Sequence, residues 1–143
     1  MAAKSCRNIL ILHTDEHFAG LLGCIGHAVV RTPHIDALAR EGSLFTCACS
    51  CSGVCVPSRA SLLTGRYSIG HGVVNNYCRM PRSEPSMAAL FAGRGYATGY
   101  FGKTHFGGDD ERMPDHGWAE SFLWHRQYNE YLRDNGIDVR YPE

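Results

Sequence analysis

Cys55 is followed two residues on by Pro57 and four on by Arg59, within the run Cys55-Val56-Pro57-Ser58-Arg59-Ala60-Ser61-Leu62-Leu63-Thr64-Gly65-Arg66. The proline and the closing Gly65 bracket about two turns of helix. A thiol at a helix amino end faces N–H groups without intrahelical partners and the positive end of the dipole, surroundings that favour an anion. Arg59, one turn later, can point back to the same spot with a charge that needs no proton bookkeeping. What such a pair favours is an anion held beside the thiol.

Two other groups are of types that could do chemistry. Asp15 and Glu16 are hard oxygen donors suited to Ca2+ or Mg2+. His13 and His17 flank them but read as loop residues, because oxygen-rich cation sites seldom recruit imidazole. Lys103 and His105 stand at alternate positions, so an extended segment would send both side chains to one side. Taken singly, each has a plainer reading: a buried thiol, a solvated loop, a surface lysine and histidine.

The elements that must position them can be read from pattern. Residues 8–12 form a short apolar run that collapses into Thr14-Asp15-Glu16-His17, as a buried strand ending at an acidic loop does. Residues 32–42 predict a helix, with Thr32 as cap, Pro33 at the first turn and Gly42 at the end. Residues 43–49 alternate weakly and predict a second strand. Residues 86–94 predict a helix ended by Gly95, 96–101 an aromatic strand, 109–118 an irregular loop, and 125–135 an amphipathic helix closed by Gly136. This order implies an α/β fold with a mostly parallel sheet flanked by helices, its ligands lying beyond the carboxyl ends of the strands, where Asp15, Cys55, Lys103 and His105 all fall.

Composition narrows the partners. Fourteen Lys+Arg balance 14 Asp+Glu, which supplies no excess cationic field for nucleic acid or anionic membrane. The longest apolar stretch is a few residues, far short of the roughly 20 needed to span a bilayer, and no hydrophobic signal region opens the chain, so a cytoplasmic location is expected. Seven cysteines, an odd number, argue against a fully paired disulfide framework. Cys47, Cys49 and Cys51 lack the spacing of zinc pairs and are expected to be small buried side chains. Gly107-Gly108-Asp109-Asp110-Glu111 reads as an exposed loop.

The cysteine run resembles the signature of the type I sulfatases, C-x-P-S-R followed by a helix and T-G-R, whose cysteine becomes formylglycine after translation. The resemblance extends over residues 8–107. The opening run into Asp15-Glu16 is similar to the family's first strand and metal ligands, and residues 31–42 are similar to T-P-N-L-D-x-L-A-x-E-G. Gly102-Lys103-Thr104-His105-Phe106-Gly107 is similar to G-K-W-H-L-G, with His71, Asn75 and Asn76 falling where H-G-V-x-x-N falls. Four motifs in order are far more specific than one.

What the resemblance implies is an alkaline phosphatase-like fold and hydrolysis of a small-molecule or glycan sulfate monoester to alcohol and sulfate. Cys55, as formylglycine, is hydrated and attacks sulfur; a divalent metal at Asp15, Glu16 and residue 55, Ca2+ ahead of Mg2+ or Mn2+, together with Arg59 and Lys103 holds the charge. His105 helps the second hydroxyl expel sulfate, and a formylglycine-generating enzyme is the partner in maturation. The alternatives are a phosphonate monoester or phosphodiester hydrolase of the same superfamily, or an inactive sulfatase-like binding module. Family members are several times longer and their later part adds metal and sulfate ligands that nothing after Gly107 matches. The expectation is therefore that residues 1–143 are the amino-terminal portion of a truncated catalytic domain, lacking its carboxyl-terminal half, with weak metal binding, an exposed apolar sheet face and little turnover.

Overall fold

The computed structural model describes residues 7–105, 116–123 and 126–137. They divide into two compact units, one ending at Cys49 and the other beginning at Ser50. No helix among the described residues is long and apolar enough to cross a membrane.

The first unit holds two short 3₁₀ turns, Ala19–Leu21 and Gly23–Ile25, and helix α1, Pro33–Glu41. Thr32 and Gly42 flank α1 as the sequence predicts, but Thr32 does not cap it with its side chain. Its Oγ1 accepts from Gly23 N–H at 2.8 Å and donates to Asp36 Oδ1 at 2.8 Å, and the same carboxylate oxygen accepts from Cys24 N–H at 2.7 Å. The hydroxyl thus ties the preceding 3₁₀ turn to α1. A Cβ at position 23 would lie 2.4 Å from Asp36 Oδ2, so a larger residue there would have to displace the carboxylate.

The strands expected at residues 8–12 and 43–49 do not form. A strand exists through the neighbours that take its backbone hydrogen bonds, and the one sheet among the described residues offers these segments no pairing. Leu10 and Leu12 are accordingly exposed rather than buried. Cys47, Cys49 and Cys51 are exposed as well, against expectation, since no sheet among the described residues includes their segment. They are free thiols, as are Cys24, Cys55 and Cys78.

The second unit carries helices α2 (Cys55–Thr64), α3 (Ser68–His71), α4 (Met87–Ala92) and α5 (Arg126–Asp134), and strands β1 (Gly99–Gly102) and β2 (Glu120–Leu123). The architecture is α/β: β1 and β2 are parallel, Gly99 opposite Glu120 and Phe101 opposite Phe122. The core grows from α2, whose Val56, Ala60 and Leu63 recur at helical spacing and meet Val73 and Met80. Cys78, Met87, Tyr100 and Trp118 pack against this cluster, the last two rings edge to face at 5.1 Å. Alternation along β1 sends Tyr100 to the core and leaves Phe101 71% exposed, on the same sheet face as Phe122.

α4 is capped by Ser86, whose Oγ accepts from Ala89 N–H at 3.2 Å and donates to the His116 carbonyl. The helix ends at Gly93, two residues before the glycine expected to end it. α5 closes at Gly136 as predicted. Pairing with β2 is set up by Thr98, whose Oγ1 donates to the Gly117 carbonyl at 2.8 Å and accepts from Ala119 N–H at 3.1 Å.

Gly117 sits between these anchors at φ +84°, and a Cβ there would meet the Ala89 backbone at 2.5 Å. Left-handed strain and backbone overlap then act together, and Gly117→Ala is expected to cost about 2–4 kcal/mol. Urea denaturation should show a lowered midpoint with unchanged slope.

Candidate active site

Cys55 is the first residue of α2, and its half-buried Sγ donates to Asn76 Oδ1 at 3.5 Å. The same oxygen accepts from Val56 N–H at 3.0 Å. Pro57 has no N–H, and Ser58 donates to the Val54 carbonyl at 3.0 Å. The bank of open amides expected at this helix end is therefore largely spent, because a side chain 21 residues downstream reaches back to fill it. What remains favourable to an anion is the guanidinium one turn on.

Arg59 is buried, 5% exposed. Its Nη1 donates to the Lys103 carbonyl at 2.6 Å and to Tyr100 Oη at 3.3 Å, while Tyr100 Oη donates to that same carbonyl at 2.7 Å. A cation, a phenol and a peptide oxygen close into one small network, fastening the end of β1 to α2. A charged donor to a buried carbonyl is among the stronger hydrogen bonds a fold can make. Lys103 and Arg59, 44 residues apart in sequence, are thereby neighbours.

Beyond β1 the chain turns. Thr104 is buried at 4% exposure while Lys103 and His105 on either side are half-buried, which agrees with alternate side chains facing alternate ways. The segment is not extended throughout, for His105 has φ +53°. Glu16 has φ +54°, and these are the two non-glycine residues with positive φ among those described. Left-handed backbone costs such residues about 1–2 kcal/mol and concentrates where side-chain placement matters. Both residues also stand out in the sequence by type alone.

Further hydrogen bonds hold the other side of α2. His71 Nδ1 accepts from Val73 N–H at 3.1 Å, which assigns the proton of the neutral ring to Nε2 and makes Ser61 Oγ, 3.0 Å away, its acceptor. Arg66, the arginine of T-G-R, donates through Nη1 to both carboxylate oxygens of Glu84 at 2.9 and 2.7 Å. Pattern reading misses the roles of Tyr100 and Glu84. Tyr100 lies within an aromatic strand and nothing local marks its hydroxyl; only the fold brings it to Arg59.

Asp15 and Glu16 belong to the first unit, in an exposed loop. Their oxygens are the right type for a hard cation, but Ca2+ takes roughly six to eight such ligands. Among the described residues no group of three His, Cys, Asp or Glu side chains is arranged to hold a metal ion. The donor type fits and the donor number does not. The Gly107–Glu111 segment lies outside the described residues.

The sulfatase family profile matches residues 7–140. An ulvan-active sulfatase of Formosa agariphila is 46% identical over 101 residues, 71% of this chain and 20% of that protein. The steryl-sulfatase of Mus musculus is 44% identical over 111 residues, 70% of this chain and 18% of its own length. The chain thus spans about one fifth of the length of the curated relatives it matches. Among solved structures, the phosphonate monoester hydrolase of Agrobacterium radiobacter superposes with a TM-score of 0.67 at 31% identity, over 82% of this chain and 26% of that one. A protein bound to its substrate D-glucosamine-2-N,6-O-disulfate gives 0.69 at 27% identity, over 79% and 22%. The parallel sheet with its helices is accordingly part of an alkaline phosphatase-like fold. With the family profile covering nearly the whole length, and the cysteine helix joined to the Gly-Lys-Thr-His segment through Arg59, the chain belongs to the sulfatase family.

Proposed function

We propose that this chain carries the nucleophile and part of the anion-holding apparatus of an enzyme that hydrolyses a sulfate monoester, with Cys55 the precursor of formylglycine. The observation that supports the reading is the 2.6 Å bond from Arg59 to the Lys103 carbonyl, which joins the cysteine helix to the Gly-Lys-Thr-His segment. Formylglycine, made from Cys55 by a formylglycine-generating enzyme, supplies the oxygen nucleophile that a thiol cannot. Arg59 contributes a buried positive charge fixed in place before the substrate arrives, so little reorganisation is needed as charge develops on the sulfate oxygens. Lys103 adds a second cation from a backbone position that Arg59 and Tyr100 hold. His105, whose backbone is turned into the left-handed region, exchanges a proton with the nucleophile.

Asp15 and Glu16 are proposed as carboxylate ligands of a divalent cation, Ca2+ ahead of Mg2+ or Mn2+. The substrate is proposed to be a small-molecule or glycan sulfate ester, a class supported by the relatives' names and by the disulfated glucosamine bound in one neighbour. A second reading, phosphonate monoester or phosphodiester hydrolysis, is supported by the likeness to the Agrobacterium hydrolase.

The test is the peptide mass across Cys55 after co-expression with a formylglycine-generating enzyme. Conversion of thiol to aldehyde is expected. An intact thiol, under conditions that convert a control sulfatase, would overturn the nucleophile assignment in favour of an inactive binding module. Turnover of an aryl sulfate against a phosphonate monoester by the full-length protein then separates the two hydrolase readings.

A further inference from the structure

The geometry points to Asn76 as the positioning residue that sets the direction of the side chain at position 55. This rests on the reading of Cys55 as the nucleophile precursor; the contacts themselves do not. One atom, Asn76 Oδ1, takes both the Cys55 Sγ–H at 3.5 Å and the Val56 N–H at 3.0 Å. The backbone N–H can only donate, so the amide oxygen and not its nitrogen must face the helix, which fixes the amide's orientation. The side chain at 55 and the amide that follows it are therefore referred to a single acceptor.

That acceptor is itself held from behind. Asn75 Oδ1 accepts from Tyr77 N–H at 2.9 Å and Cys78 N–H at 3.1 Å, a side-chain-closed turn with Asn76 inside it. Cys78 follows, packed against the core and donating its Sγ–H to Asn75 Oδ1 at 3.3 Å. On the other flank, Val73 is fully buried and its N–H is taken by His71. The turn that presents Asn76 is pinned at both ends to the hydrophobic cluster that α2 itself builds. A nucleophile directed by such a turn has its rotamer chosen before substrate binds, which is where much of the orientational advantage of a preorganised site arises.

The experiment uses the unconverted, full-length protein and iodoacetamide, with alkylation of each cysteine followed by peptide mass. The thiolate is the form that reacts, and a thiolate cannot donate to Asn76, so reaction at Cys55 forfeits that hydrogen bond. Asn76→Ala removes the acceptor, and alkylation at Cys55 is expected to rise about fivefold, the scale of one modest hydrogen bond, while Cys78 stays at its wild-type rate. Asn76→Asp keeps an acceptor oxygen and is expected to stay at or below the wild-type rate. A change of less than twofold at Cys55 in Asn76→Ala overturns the inference. If Cys78 accelerates in parallel, the alanine variant has loosened the unit and Asn76→Asp decides: a wild-type rate at Cys55 upholds the role, and a rise to the alanine level overturns it. Conversion of wild-type Cys55 by the maturation enzyme is measured separately, so the alkylation ratio reports on Asn76 even where the nucleophile reading fails.

Discussion

Arg59→Ala is expected to lower kcat/KM of the full-length protein toward a sulfate ester by about 10² to 10³-fold and to destabilise the fold by about 3 kcal/mol. The two effects have different origins. On the proposed reading, turnover falls because a buried guanidinium, one turn into the helix that Cys55 begins, is held in place before charge develops on the ester. Stability falls because the side chain is 5% exposed and shares the Lys103 carbonyl with Tyr100, so its loss leaves both a void and a weakened tie between β1 and α2. Arg59→Lys separates them. An ammonium on a flexible stem can reach one acceptor but not reproduce the planar fork, so most of the stability should return while most of the turnover does not. Equal recovery of both in a urea titration and a steady-state assay would mean that Arg59 acts through structure alone.

Cys55→Ala is expected to abolish turnover, by about 10⁴-fold or more, with a change in stability below about 1 kcal/mol. The residue is half-buried, outside the hydrophobic cluster, and makes one long hydrogen bond, so the fold has little to lose. Retention of more than about a hundredth of the wild-type rate would show that some other group attacks the ester. The pairing of full loss with near-neutral stability is what distinguishes Cys55 from Arg59.

Helices are the legible part of this fold because their signals are local. Pro33 and Gly42 bracket α1, Cys55–Thr64 ends at Gly65, and Ser86 caps α4, each readable within a dozen residues. α3 escapes such reading, since four residues give no periodicity. Strands are less legible because the signals that make them lie in other segments. Residues 8–12 have the apolar, β-branched composition of a strand yet pair with none of the described residues as a strand, whereas Glu120–Leu123, short and half polar, becomes one because Thr98 fastens its start beside β1.

Site residues divide the same way. Cys55, Arg59, Lys103 and His105 can be singled out as candidates because they stand in short motifs in order, Cys55 to Arg59 within five residues and the Lys-x-His pair within three. Thr32 shows the limit of such reasoning: it occupies the capping position, and its hydroxyl serves a different turn. Tyr100 and Asn76 act through an oxygen that reaches a partner 41 or 21 residues away, and no spacing rule encodes that reach.

At position 103 the scaffold grips the main-chain oxygen. Arg59 and Tyr100 both bind the carbonyl, which every amino acid possesses. The identity of the residue there is thus decoupled from the tie that holds the strand end to the helix. An ancestral sequence could exchange the lysine for another group and keep its architecture, trying new reactivity without first refolding. Divergence of substrate within one framework needs sites of this kind, where inheritance of shape and inheritance of chemistry are written on different atoms.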